Sequence, residues 1–496
     1  MTLSITRTST RHRGVPGDTD RRQGAEGPLE PSVLTVRGQE SESARRPARR
    51  FLCIGAAAAV ALLIGACAPG DDGDDADATG APTAGDVATD PSELGDVTLT
   101  VWDQEVREGQ TEQIEALNAA FEEAYPNITI ERVSRSTDDL RTTLRLALSG
   151  EDAPDVVQAN NGRPEMGQYV ASGLLTPLDG YAEGYGWFDR FPESVRALAS
   201  YSEDGANFGE GDLYGLPQMG EIVGLYYNKT KLAALGLEPP ETTEDFEAAL
   251  QAAQAAGEVP IQFGNSEPWA GIHEFGFVQN QFSDAETIRN LGFGRPGSSW
   301  TSDDNVAAAQ ATRDWVDAGY FVDGFNGVSY DSAWQAFAQG TGVFFVGGTW
   351  LVADLTSAMG DEVGFVLPPV GASGQHLVTG GISIPWAIPA NSDAKEAAAA
   401  YIDFITSSDA MTAVTEAGNL PVIEADQQTT TGLQSEVFAA WAQAGQEDLI
   451  VPYLDYATET FYDTITVAVQ NLMAGQSDPQ QFLDTLEAEY TAATGS

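Results

Sequence analysis

From Val97 the chain reads VTLTVW, with Val97, Leu99 and Val101 alternating with Thr98 and Thr100, the period of a half-buried strand. Between Gly109 and Tyr125 the period lengthens: Ile114, Leu117, Phe121 and Tyr125 recur at helical spacing until Pro126 stops the run. ITIERV predicts a second strand. TDDLRTTLRLALSG predicts a second helix with Leu140, Leu144 and Leu148 on one face and Gly150 at its end, and PDVVQA a third strand. Strand, helix, strand, helix, strand implies parallel pairing through crossovers, and hence an α/β fold.

The later chain continues in the same style. PETTEDFEAALQAAQAAG predicts a helix opened by a Thr242 and Asp245 capping box, burying Phe246 and Leu250 and ending at Gly257. VPIQFG, the core of GTGVFFVGGTW, VGFVLPPV and GISIPWAIP read as short strands, and Ala397 to Ile405 as an alanine-rich helix. The end is helical, with Phe461, Ile465, Val469 and Leu472 on one side and Phe482, Leu486 and Tyr490 on another. No internal repeat is evident.

In open parallel sheets ligands gather outside the carboxyl ends of strands. That singles out Trp102, Asp103 and Gln104 after the first strand and Asn160, Asn161 and Arg163 after the third, although loop capping is the default role of Asx residues there. The first turn has no GxGxxG pattern, which argues against a dinucleotide cofactor. LYGLPQMGEIVGLYYNK, from Leu213 to Lys229, raises a different question, because Glu221 stands alone among apolar residues and glycines.

Composition narrows the class. A chain of 496 residues has room for roughly two to four compact units. Its formal net charge is -50, and ten of the 24 basic residues precede Cys67, leaving 14 basic and 68 acidic residues after Ala66. Such a surface repels phosphate backbones, so nucleic acid is not an expected partner. Only Cys53 and Cys67 are present, and His12, His273 and His376 are scattered, so neither a disulfide framework nor a metal site is expected.

The first 66 residues read as an extension and a leader. Arg45, Arg46, Arg49 and Arg50 precede an uncharged run from Phe51 to Ala66, shorter than the ~20 residues a spanning helix needs and flanked as a signal peptide is. The run ends in IGAC, which resembles the bacterial lipobox and implies Cys67 as a lipid-modified anchor. General secretion fits the residues after Arg49-Arg50 better than twin-arginine export. The stretch before the basic cluster matches neither signal nor domain, with Val33 or Val36 as alternative starts. Residues 67–95, rich in Asp, Gly, Ala, Thr and Pro, predict a flexible acidic tether.

From Val97 to the C-terminus the chain resembles the extracellular solute-binding proteins of bacterial ABC importers, specifically the carbohydrate-binding family that includes maltose-binding protein. PDVVQANN, YVASGLLTPLD, YGLPQMGEIVGLYYNK, PPETTEDFEAAL, FGNSEPW, AFAQGTGVFFVGGTW, VGFVLPP and AGNLPVI occur in the family's order and approximate spacing. The resemblance implies a two-lobe periplasmic-binding-protein fold of type II. Residues 97–219 plus 379–415 would form the first lobe and 223–378 plus 416–496 the second. It implies a monomer that closes on a sugar, interacts with permease subunits and is tied to the membrane through its lipid.

Residue by residue, the resemblance implies Glu221 as a cleft acceptor for sugar hydroxyls, Trp269 and Trp350 as stacking residues, and Glu267 as a ligand-contacting acid. Phe461 or Tyr462 would stand where maltose-binding protein has a tryptophan. Gly220, Gly380 and Gly381 would serve the crossings, and Asp103, Gln104, Asn160 and Asn161 would line the cleft. The loop after PDVV is about two residues longer here, which leaves open which of Asn160, Asn161 and Arg163 touches ligand. Trp334 and Tyr330 lie within reach of the cleft without being assigned to it. The implied protein is a receptor, not an enzyme. The alternatives are an ABC receptor for a non-sugar solute, or a secreted glycoside hydrolase, which too needs aromatics and two carboxylates, for which Glu221 and Glu267 are the candidate pair.

Overall fold

The computed structural model describes residues 82–85, 87–150 and 153–495. The expected leader, the anchor Cys67 and most of the expected tether lie outside the described residues. The last part of that tether packs on the folded body: the Ala88 amide donates to Glu396 at 2.9 Å, the Tyr185 hydroxyl donates to the Ala88 carbonyl, and Pro91 is buried. The folded body thus includes residues before Val97, where Val87 and Leu94 pack against the core and Pro91 is buried.

Two α/β lobes follow, each built around its own sheet. Strands β1 (Val97–Asp103), β2 (Ile128–Ser134) and β3 (Val156–Gln158) are parallel in the order β3-β1-β2, linked by helices Glu108–Ala124 and Thr137–Leu148. Those helices bury Ile114, Leu117 and Phe121, and Leu140, Leu144 and Leu148, the faces that the spacing predicts. After a small hairpin of β4 (Ser200–Tyr201) and β5 (Asp212–Leu213), the chain enters the second sheet through β6 (Gly220–Asn228), buried along its whole length.

In the second sheet β6 pairs with β7 (Phe344–Gly348) on one edge and with β8 (Val363–Val366) and β9 (Val378–Ile382) on the other, all antiparallel. Four residues after β9 ends, β10 (Trp386–Ala387) joins the first sheet against β3, and β11 (Ile450–Val451) closes the second beside β9. GISIPWAIP is therefore not one strand but the end of β9 and all of β10, serving different sheets on either side of Pro385. VPIQFG, expected as a strand, forms only single-residue bridges from Ile261 to Phe321 and Phe344. Its backbone still bonds on both sides, Ile261 N–H to the Tyr320 carbonyl and Gln262 N–H to the Phe344 carbonyl, both at 2.9 Å, while Pro260 offers no amide hydrogen. The capping box at Thr242 and Asp245 is present with both reciprocal bonds.

The three crossing glycines are ladder residues: Gly220 lies opposite Ile382, Gly381 opposite Glu221, and Gly380 opposite Ile222. A Cβ on Gly380 would sit 2.2 Å from the Glu221 carbonyl oxygen, and Gly381 adopts φ +147°, outside the range comfortable for side chains. These residues let β9 approach β6 at the point where Glu221 is presented. Gly380→Ala is expected to destabilise the fold by roughly 1–3 kcal/mol, the scale of overpacking, read as a lower urea midpoint with an unchanged m-value.

Candidate functional site

Between the lobes lies a cavity enclosing about 770 Å³ of space, part of it open to solvent. The first lobe contributes Gln104 and Arg107 after β1, Thr137 and Arg141 on the helix before β3, and Asn160, Asn161 and Glu165 after β3. From the second lobe come Glu221 on β6, Trp269, Ile272 and His273 at the start of helix Trp269–Phe282, and Trp350 just after β7. Tyr453, Asp455 and Tyr456 follow β11, and Tyr462 opens the next helix.

The aromatic wall is a connected set. The Trp269 ring lies 4.5 Å from Tyr330 and 6.3 Å from Trp350, His273 lies 5.6 Å from Trp350 and 5.3 Å from Tyr453, and Tyr453 lies 5.4 Å from Tyr456. Trp350 Nε1 donates to the Tyr330 hydroxyl at 3.0 Å, which satisfies the indole and fixes its orientation. The Tyr456 hydroxyl donates to Asn161 Oδ1 at 2.8 Å, and a Cβ on Gly162 would collide with the Tyr456 ring at 2.3 Å, so a glycine there lets the two lobes meet.

Acids on this wall are held in uncharged surroundings. Burial pushes Glu221 up to about 8, and Glu105 raises it further, while Arg107 and a long 3.5 Å bond from the Tyr453 hydroxyl pull the other way. Burial likewise lifts Glu165 to about 7 and Asp455 to about 6. His273 is driven down to about 4 by burial and is neutral at pH 7. The arginines already carry ion pairs, one of them, from Arg141 to Glu165 at 3.4 Å, within the cavity wall. Arg107 pairs with Asp331 at 3.1 Å; Arg141 pairs with Asp463 at 2.7 Å and lies 4.0 Å over the Tyr462 ring.

Several expected residues are assembled on the cavity: Gln104, Asn160, Asn161, Glu221, Trp269, Trp350 and Tyr462 all line it. Three are not. Asp103 is fully buried and grips Arg132 through both oxygens, at 2.7 and 2.8 Å. Glu267 accepts the Tyr330 amide at 2.9 Å, at the start of helix Tyr330–Ala338, so it is not brought into the cavity beside Glu221 as a glycosidase pair. Phe461 is fully buried and stacks on Trp300 at 5.2 Å, so the helix presents the next residue, Tyr462, to the cavity. Arg163 donates to the Phe293 carbonyl across the lobes, and Trp102 lies under Arg135. Trp334 donates to Asp331.

Sequence reasoning missed His273, Arg107, Arg141, Glu165, Tyr453, Asp455 and Tyr456. For the last three the signal was present: PYLDY is a short aromatic run with one acid, the same anomaly that drew attention to Glu221. Among the described residues no group of three or more His, Cys, Asp or Glu is arranged to hold a metal ion.

A model of bacterial extracellular solute-binding proteins matches residues 107–412. The chain belongs to that family. A multiple sugar-binding protein of Streptococcus mutans is 23% identical over 306 residues, covering 61% of this chain and 70% of the relative. A chitin oligosaccharide binding protein superposes with a TM-score of 0.70 at 22% identity, over 81% of this chain and all of that one. A RafE solute-binding protein in complex with raffinose superposes with a TM-score of 0.62 at 21% identity, over 80% and 99%. At these identities the structural likeness establishes the fold, that of the type II periplasmic-binding proteins. The cavity of this family member lies between its two lobes.

Raised carboxyl groups set a pH dependence. Glu221 is protonated in the folded state below about pH 8 but ionised in the unfolded chain above its ordinary value of 4.5, so the unfolded state binds fewer protons and stability falls as pH rises through that window. Glu105, Glu165 and the buried Glu274 act in the same direction, while His273 opposes them only below its ordinary 6.5. The ligand-free protein should therefore lose stability between pH 6.5 and about 8, and Glu221→Gln should flatten that slope in urea titrations; an unchanged slope would show that Glu221 is ionised in the folded state.

Proposed function

We propose that this protein captures a sugar or oligosaccharide between its lobes and delivers it to the permease of an ABC importer, held at the outer membrane face by a lipid on Cys67. The observation that carries this reading is the combination, in one cavity, of Trp269 and Trp350 with the isolated carboxyl of Glu221. Sugars present apolar C–H faces and a rim of hydroxyls, so a site for them needs flat aromatic surface beside a few fixed polar groups. A protonated Glu221 both donates and accepts, which suits a hydroxyl. Amides from Gln104, Asn160 and Asn161 extend the polar rim. The sugar ligands named for the Streptococcus mutans relative and for the raffinose complex support the same class.

Delivery follows from closure. A permease that contacts both lobes distinguishes liganded from empty receptor only if the ligand shifts the lobe geometry. Here polar contacts bridge the lobes around the cavity, Arg107 to Asp331, Arg141 to Asp463, and Gln168 to the Glu459 carbonyl at 2.9 Å. A ligand that adds contacts to both walls strengthens that closed arrangement.

A thermal-shift screen over mono- and oligosaccharides should give a saturable stabilisation without product formation. Trp269→Ala and Trp350→Ala should each weaken the best ligand by about 2 kcal/mol, on the order of 30-fold, in calorimetry. Unchanged affinity in both variants removes the tryptophans from the site, and release of shorter sugars during incubation replaces the receptor with a hydrolase. Cys67→Ser should move the protein from the membrane to the soluble fraction; continued membrane retention defeats the anchor.

A further inference from the structure

The cavity carries more acid than a neutral sugar needs. Three carboxyl groups line it, Glu165, Glu221 and Asp455, with two arginines. Arg107 is already paired with Asp331, and Arg141 with Asp463 and, at 3.4 Å, with Glu165. Among the described residues, Glu221 and Asp455 are left without a cationic partner, although they are only 9% and 7% exposed. Glu221 has one long contact, from Tyr453 at 3.5 Å, and Asp455 makes no side-chain bond to another described residue. Beside Glu221 stands Glu105, 2% exposed, whose Oε2 has no hydrogen-bond partner.

We propose that the solute carries a protonated amine, an amino sugar rather than a neutral one, with its ammonium group held by Glu221 among the faces of Trp269, Trp350 and Tyr453. This rests on the carbohydrate reading above and names the subclass. Two neighbouring buried acids with one shared, already engaged arginine are costly to ionise together, and a bound cation removes that cost. The rings of Trp269, Trp350 and Tyr453 line the same cavity, and electron-rich aromatic faces attract a cation as they do not a hydroxyl. The sugar ring supplies the apolar face for the tryptophans, and the amine supplies the charge.

Proton balance follows. Where the free amine is already protonated, Glu221 enters the complex as carboxylate opposite an ammonium ion and its proton passes to the buffer; where the free amine is neutral, the proton passes from Glu221 to the amine and none is released. The groups set around it are Glu105 and Arg107 from the segment after β1, Tyr453 after β11, and Trp269 and His273 from the helix; His273 is neutral near pH 7, so the release is assigned to the carboxyl groups.

The test is calorimetry at about pH 5.5, where sugar amines are protonated, Glu221 still carries its proton in the free protein and His273 is neutral, with a β-1,4-linked glucosamine trimer, its N-acetylated counterpart and spermidine. The amine trimer should bind about tenfold or more tightly than the N-acetylated one. It should also release protons, measured as a difference in heat between acetate and MES buffers, whereas the N-acetylated trimer should not. Glu221→Gln should bring the affinity ratio towards one; if that variant does not fold, the wild-type proton count decides alone. Equal or tighter binding of the N-acetylated trimer, or amine binding without proton release, overturns the amine and leaves the sugar receptor standing. Binding of spermidine with no response to either trimer keeps the cation and overturns the carbohydrate. No response to any of the three removes the amine proposal together with the amino-sugar class.

Discussion

The site depends on how closely β9 approaches β6. With glycines at 380 and 381 the two strands come together where β6 enters the second sheet, and a single methyl at Gly380 would strike the Glu221 carbonyl. Glu221 is thereby locked in a ladder rather than carried on a loop, and its side chain is fixed relative to Ile382 and to the passage from β9 to β10. The chain changes lobe within a few residues of this ladder at both Gly220 and Ile382. The rigid part of the site and the connection between the lobes are thus the same piece of structure, so movement of one lobe relative to the other is felt at the cavity wall.

That arrangement has an electrostatic consequence. A carboxyl group fixed by backbone pairing cannot turn away to water, so burial is answered by protonation instead of by motion. Glu221 is displaced upward in this way; Glu165 and Asp455, carried on short helical turns, are raised mainly by burial, and Asp103 is given a bidentate arginine and serves the fold. The cavity wall thus sets acids with close internal partners, Asp103 and Glu165, apart from Glu221 and Asp455, which have no ion pair among the described residues.

Much of the architecture was legible because it is periodic. The β1-helix-β2-helix-β3 unit follows from alternation and from leucines at helical spacing, and the buried faces are those the spacing selects. VPIQFG falls short of a full strand although it finds partners on both sides, since its bridges are confined to Ile261, next to a proline with no amide hydrogen to give. GISIPWAIP failed because one apolar run can serve two sheets when a proline interrupts it. At the site, Glu221 was legible as an acid out of place, but Phe461 and Tyr462 could not be separated, since which of two adjacent aromatics faces the cavity is set by the rotation of their helix against Trp300. Glu267 misled for a related reason: a carboxylate next to a tryptophan near a helix start is equally suited to holding a backbone amide, and Tyr330 provides one.

The residues that sequence reasoning missed share a property that explains why. Arg107, Arg141 and Asp455 acquire meaning only from partners hundreds of residues away, Asp331 and Asp463 for the arginines and the opposite lobe for the acid. A charged residue in a strand-end loop or on a helix face is ordinary until the second lobe is placed over it. The bridging ion pairs then do two things at once. They hold the walls together around the cavity, and they engage the two guanidinium groups that line it among the described residues, which still pull Glu221 and Asp455 downward from a distance. The contacts between the lobes and the charge balance of the cavity are consequently not independent features: a change in one ion pair alters both.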